Sequence, residues 1–241
     1  MLKGLLYFNP VAGRRPVSPP RLRTMLDLLL AQGIECEAVA SKPRFQGPPE
    51  LDLQAKSMLI AAGGDGTIHE LLPLAVKHQV ALGILPTGTA NVLAEELGIP
   101  GRLDHAVRLL REGSRQRIAL GRAESEYFHL MAAFTRPRSR SSVTVISMGA
   151  GCKITPRANP FSDRLEVCLF EGSRRADFTR YVCGILTGRH LSFPDVKTFS
   201  TRKVEIQAPA SVPVQLDGDV AWPTPRLFEI EKEALEVIMP G

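Results

Sequence analysis

Gly63-Gly64-Asp65-Gly66-Thr67 sets three glycines around one carboxylate, just behind the apolar Met58-Leu59-Ile60 and ahead of Ile68-His69-Glu70-Leu71-Leu72. Glycines let a backbone turn tightly and offer bare N–H groups to an anion. A helix opening behind them adds unpaired amides and the positive end of its dipole, which suits a phosphate. A carboxylate in such an anion pocket makes sense where a metal ion or a transferring proton needs it. The arrangement recurs: apolar residues 81–85 run into Pro86-Thr87-Gly88-Thr89 and then into the helix-forming residues 90–97, with Thr89 at the expected N-cap. A third loop, Asn9-Pro10-Val11-Ala12-Gly13, follows a strand-like stretch over residues 3–8.

Those loops need strands and helices in alternation to hold them. Pro19-Pro20 opens a helix whose apolar positions are Leu22, Met25, Leu26, Leu29 and Leu30. A second strand over 36–40 ends at Ser41, and a loop carrying Pro43, Gly47, Pro48 and Pro49 leads to the third strand. Residues 103–111 form an amphipathic helix with Arg108 and Arg111 on its polar side, closed by Gly113. Beyond it strands dominate, over 116–120, 127–134, 142–147, 164–170, 204–207, 227–230 and 235–239, with one helix over 176–186. The expected fold is an N-terminal α/β half, residues 1–121, then a β-rich half over 122–230 and a last strand within 231–241. Parallel strand–loop–helix units would bring the three loops to the carboxyl edge of one sheet, where α/β sheets bind ligands.

Composition bounds the function less. The 241 residues, 44% hydrophobic and 23% charged, are ordinary for a globular chain. No apolar run approaches the ~18 residues of a bilayer span, and the N-terminus lacks the cationic start and apolar core of a signal peptide, so a cytoplasmic location is expected. Cys36, Cys152, Cys168 and Cys183 are widely spaced and apolar-flanked, which reads as buried free thiols. The net charge of +5 is uneven: residues 121–200 carry 12 basic and 7 acidic side chains, residues 201–241 carry 4 and 7. Arg136, Arg138, Arg140, Arg157, Arg174, Arg175 and Arg180 make the middle basic. A basic face suits an anionic membrane surface, or is simply a solvated arginine-rich loop. No nucleic-acid motif accompanies it, and a nucleic-acid partner is not expected. The oligomeric state is left open, a homodimer included.

Asn9-Pro10-x-Ala12-Gly13, Gly63-Gly64-Asp65-Gly66-Thr67 and Pro86-x-Gly88-Thr89-Ala90-Asn91, in that order, resemble the signature of the diacylglycerol kinase catalytic-domain family, which includes bacterial lipid kinases and sphingosine kinases. Val214-Gln215-Leu216-Asp217-Gly218-Asp219 is similar to that family's Asp-Gly-Glu motif, with Asp for Glu. The resemblance implies a three-layer α/β domain, a β-sandwich-like C-terminal domain, a last strand (231–241) that returns to the first domain, and ATP with Mg²⁺ in the cleft between the two domains. It implies that Asn9, Ser41, Gly63, Gly64, Asp65, Gly66, Thr67, Thr89 and Asn91 hold the nucleotide. It implies Asp65, Asp217 and Asp219 as catalytic carboxylates, with Asp219 taking the acceptor hydroxyl's proton and Asp65 working on the Mg²⁺-bound phosphates, or the reverse. Asp163 matches a position that helps hold a structural Mg²⁺ with the carbonyls of Pro160 and Leu165; the charge of Arg164 beside it could instead replace the ion. The acceptor would be a lipid at a membrane surface, met by peripheral contact.

Phosphoryl transfer asks mostly for positioning and charge stabilisation, which such loops supply. No Walker-A lysine follows the glycines and no protein-kinase glycine loop is present. The chain departs from the family after residue 134, where Thr135-Arg136-Pro137-Arg138-Ser139-Arg140 stands in place of a longer helical stretch, on the acceptor side. Asp217-Gly218 is also a β-turn pair, and His69, His105, His129 and His190 read as structural or scattered. Two other functions therefore stand beside a lipid kinase. One is an NAD-kinase-like enzyme with a soluble acceptor, sharing the Gly-Gly-Asp-Gly-Thr loop; the other is a non-catalytic nucleotide-binding member.

Overall fold

Strand and helix alternate from the first residues of the computed structural model, which describes residues 1–11, 16–42, 50–135, 143–147, 154–172, 174–206, 213–221 and 227–241. β1 (Leu2–Phe8), β2 (Ile34–Ala40), β3 (Met58–Gly63) and β4 (Ala81–Pro86) are parallel, in the order β2-β1-β3-β4. β3 and β4 are buried along nearly their whole length, so they read as continuous apolar runs, as covered parallel strands do. Alternate side chains point to opposite faces. Leu6, Ile60 and Ala62 join Met25 and Leu29 of α1 (Pro19–Ala31) and Ala106, Val107 and Leu110 of α4 (Leu103–Glu112) in one cluster. The neighbouring Tyr7 faces the other way, its hydroxyl donating to Glu70 Oε2 at 2.9 Å on α2 (Asp65–His78). Three layers result. Leu30, expected on the inner stripe of α1, is instead 54% exposed.

The chain forms two compact units, Met1–Ile118 with Glu233–Gly241, and Ala119–Lys232. The division falls within β5 (Ser114–Ala123) and within β14 (Leu227–Met239), three and two residues away from the divisions at 121 and 230 expected from sequence. In the first unit β14 lies parallel to β4, with Val237 opposite Leu82, and Ser114 Oγ donates to the Met239 carbonyl. The strands expected over 227–230 and 235–239 are thus one strand of 13 residues.

The second unit is mostly antiparallel. β10 (Val196–Thr201), β9 (Leu165–Phe170), β8 (Val143–Ser147), β7 (Met131–Thr135), β12 (Val214–Leu216) and β13 (Asp219–Ala221) follow one another across one sheet. The inner side of α5 (Arg175–Leu186) adds Tyr181 and Ile185 to Val145, Cys168, Phe170 and Val196 of that sheet. β6 (Glu126–Phe128) pairs with the end of β5, and β11 (Lys203–Glu205) with the start of β14. Phe228 meets Phe128 edge-on and Phe134 in a stack, each at 6.4 Å between ring centres, favoured aromatic arrangements.

Three sequence expectations change here. The helix expected over 90–97 is α3 (Val92–Glu96), because Asn91 at φ 52°, ψ 45° is left-handed and cannot continue a helix backwards. Thr89 is therefore not its N-cap. The strand expected over 127–134 is broken at His129-Leu130 into β6 and β7. Of the thiols expected to be buried, Cys168 is buried, Cys36 is half-buried and Cys183 is exposed; Cys152 lies outside the described residues, as do Arg136, Arg138, Arg140 and the loop prolines 43, 48 and 49.

Candidate functional site

β1 to β4 end together. Phe8 is opposite both Ala40 and Ala62, and Gly63 is opposite Pro86, so Asn9, Ser41, Gly64 and Thr87 leave one sheet edge side by side. Backbone bonds tie the exits: Ser41 N donates to Phe8 O at 2.8 Å, Asn9 N to Ala62 O at 3.3 Å, and both Thr87 N and Gly88 N to Gly63 O at 3.0 Å. Asn9 Oδ1 accepts the Val11 N–H at 3.0 Å, a local turn that opens the first loop. Ala12 and Gly13 of that loop lie outside the described residues. Ser41 is half-buried, Thr67 is buried, and Thr89 is exposed.

The two glycine loops touch through their backbones. A Cβ on Gly88 would sit 2.4 Å from Gly64 Cα and 2.8 Å from Gly64 N, and one on Gly64 would sit 3.2 Å from Gly88 Cα. Only glycine fits at Gly88. Asn91 holds the same loop from the other side: its Oδ1 accepts the Gly88 N–H at 2.9 Å and its Nδ2 donates to Gly88 O at 3.0 Å. Both ends of the amide thus engage Gly88.

Asp65 bridges the loops. It is the first residue of α2, yet its carboxylate turns to α3, accepting Val92 N–H at 3.0 Å on Oδ2 and Leu93 N–H at 3.1 Å on Oδ1. It therefore caps α3 from 27 residues upstream, where Asn91 makes no side-chain cap of its own. The N-terminus of α2 has no side-chain cap either, and Gly64 and Gly66 flank Asp65 there without side chains. The result is a rigid backbone cradle beside the open end of a 14-residue helix. Backbone amides so placed bind phosphate oxygens.

In the second unit, Asp217-Gly218 is a two-residue hairpin turn between β12 and β13, with φ of 47° and 103°. Asp217 does more than turn the chain. Its Oδ2 accepts the His129 N–H at 2.8 Å, and its Oδ1 accepts those of Leu130 and Met131 at 2.9 Å each. His129 Nδ1 lies 2.8 Å from Oδ2, with both side chains fully buried. This capture is what breaks the strand expected over 127–134. Asp219, two residues on, is half-buried at the first position of β13, opposite Leu216.

Asp163 lies just ahead of β9. Its carboxylate pairs with Arg202, whose hydrogen bond holds it below the usual carboxylate range, and the Pro160 carbonyl already accepts the Ala119 N–H at 2.7 Å. The charge of the adjacent Arg164 adds to that lowering, while its guanidinium reaches the Ser200 carbonyl.

An N-terminal three-layer α/β unit with glycine loops at its carboxyl edge, followed by a β-rich unit, defines the class. Residues 3–123 match the diacylglycerol kinase catalytic domain, and residues 137–239 match the YegS C-terminal NAD kinase beta sandwich-like domain. The chain belongs to the diacylglycerol kinase catalytic-domain family, a family of lipid kinases. It is 30% identical over 165 residues to a diacylglycerol kinase of Staphylococcus saprophyticus, covering 65% of this chain and 51% of that relative. It is 22% identical over 297 residues to a Bacillus subtilis diacylglycerol kinase, covering all of this chain and 97% of the relative. That alignment is longer than this chain's 241 residues, so the relative carries dozens of residues with no counterpart here. Two solved Bacillus anthracis structures share the fold, with TM-scores of 0.73 and 0.78 at 17% and 16% identity, each covering 98% of this chain and, respectively, 96% and 97% of theirs. The first is described as a diacylglycerol kinase.

Sequence reasoning missed the part played by His129, set aside as scattered. No local signal marks it: its partner is 88 residues away. Asn91, in contrast, was visible as a motif residue, while its grip on Gly88 was not.

Proposed function

We propose that this chain is an ATP-dependent lipid kinase that passes the γ-phosphoryl group to the hydroxyl of a diacylglycerol-like lipid at a membrane surface. The observation that carries the reading is the contact of Gly64 with Gly88 beside the bare start of α2. That cradle suits phosphate oxygens, and family membership supports taking them from a nucleotide. The amides of Gly64 and Gly66 would take the phosphates, with Asn9, Ser41, Thr67 and Thr89 around the nucleotide. Mg²⁺, when bound, would neutralise phosphate charge beside Asp65, a hard oxygen donor of the kind that cation takes. In the transfer a new bond forms between the acceptor oxygen and the γ-phosphorus, and the bond to the ADP oxygen breaks. The hydroxyl proton goes to Asp219, one methylene shorter than the family's Glu. Asp217 serves this reading by fixing the hairpin on which Asp219 stands. None of the described helices is long and apolar enough to cross a membrane, which suits peripheral contact.

A non-catalytic nucleotide binder is the second reading. Commitment of both Asp65 oxygens and both Asp217 oxygens to backbone N–H groups favours it. Labelled ATP tested against a panel of lipid alcohols and NAD separates the readings. A phosphorylated lipid is the expected product, and Asp219→Asn should abolish it while Asp219→Glu retains or raises it. ATP binding with no product from any acceptor selects the second reading; phosphorylated NAD selects an NAD-kinase-like enzyme.

A further inference from the structure

α5 carries two apolar faces. One, through Tyr181 and Ile185, packs on the sheet of the second unit. The other sets Phe178, Val182 and Leu186 at i, i+4 and i+8, where side chains of a helix line up, and these are 55%, 40% and 70% exposed. The 3₁₀ turn His190–Ser192, which packs against Gly184, adds Leu191 at 41%. A surface helix normally turns charged residues to water; this one turns Phe and Leu. We propose that this outer face is a docking surface for an anionic lipid bilayer, a proposal that rests on the lipid-kinase reading and names how the protein would reach its acceptor.

Charge supports that occupant. Between Arg174 and Lys203 the chain has seven Lys and Arg and two acidic residues, Asp177 and Asp195. Arg180 is held by Asp195, Lys197 by Glu171, Arg202 by Asp163 and Lys203 by Glu229, the last three carboxylates lying outside that stretch. Arg189, three residues past the helix, is exposed. Apolar side chains flanked by cations are what an interfacial helix presents to anionic headgroups. Size argues against a second copy of this chain. Four side chains fall far short of the roughly 20–30 residues a side of a stable protein interface, whereas a few apolar side chains suffice at a headgroup boundary.

Vesicle flotation tests the surface apart from the chemistry. Wild type should float with phosphatidylcholine vesicles doped with phosphatidylglycerol and only weakly with phosphatidylcholine alone. The exposed pair Phe178→Ser with Leu186→Ser should lower that partitioning about tenfold or more, with the melting midpoint and turnover of a water-soluble short-chain acceptor unchanged. If the double variant fails to fold, Arg189→Glu decides, with lower binding to the anionic vesicles only. Wild type that ignores anionic vesicles, or variants that bind as well as wild type, overturn the proposal. So does a wild-type dimer that the double variant converts to a monomer at unchanged vesicle binding, which would give the stripe to a second copy. Turnover of the soluble acceptor without vesicle binding keeps the kinase reading and removes the surface; vesicle binding without turnover of any acceptor does the opposite.

Discussion

Each unit uses a motif aspartate to tie distant backbone, but they do it differently. In the first unit, Asp65 shares the work: the Gly64–Gly88 contact, the Asn91 amide and the Gly63 carbonyl all hold the same pair of loops. In the second, Asp217 takes the N–H groups of His129, Leu130 and Met131 on one carboxylate. Distributed ties tolerate the loss of one member; three bonds gathered on one carboxylate are lost together, with the Asp217 N–H to Met131 O bond and the β12–β7 pairing left to hold the hairpin. The same residue type thus has different structural weight in the two places, and chemistry can be asked of Asp65 at less cost to the fold.

The largest expected effect removes the second carboxylate. Asp217→Ala takes the side-chain acceptor from the N–H groups of His129, Leu130 and Met131 and should cost about 3 kcal/mol in denaturant unfolding. A loss of only a few tenths would erase the contrast. Next, Gly88→Ala should cost about 1–3 kcal/mol by overpacking and weaken ATP binding in a titration, with Gly64→Ala milder because its nearest contact is longer. If Gly64→Ala proves the worse, the backbone contact is not the clasp described. Asp65→Asn keeps one acceptor and should cost about 1 kcal/mol of stability. Turnover should nevertheless fall about a hundredfold or more; full activity would withdraw its assigned role.

The smallest effect is alkaline. Burial pushes the Cys36 thiol of the first unit up to about 11, and burial followed by the Asp195 hydrogen bond pushes the Tyr181 hydroxyl of the second up to about 12. Both groups hold their protons more tightly when folded, so their stabilisation is complete below the ordinary values of 9 and 10 and declines as pH rises toward 11 and 12. Cys36→Ala should flatten the first part of that decline in melting midpoint and Tyr181→Phe the second. Unchanged profiles in both would reject the linkage.

Much of the first unit is legible in the sequence because its determinants are local. The apolar runs over 58–62 and 81–85 announce covered strands, and glycines after them announce the loops. The start of α3 was misplaced because its cap is Asp65, 27 residues away. The second unit was harder for the same reason on a larger scale. β10 escaped notice because only Val196 of its six residues is buried, so no alternation shows. The break at His129 could not be foreseen without knowing that Asp217 would capture it. The pairing of Asp163 with Arg202, 39 residues on, was equally invisible. For α3, the break at His129 and Asp163, a charge chose a partner that only folding brings near.

The meeting of Gly64 and Gly88 also restricts how this molecule can vary. Most crowded sites let a bulky replacement be rescued by shrinking a neighbour, but here both neighbours are already the smallest residue there is. A library randomising the two codons together should therefore return almost no surviving combination other than the parental one.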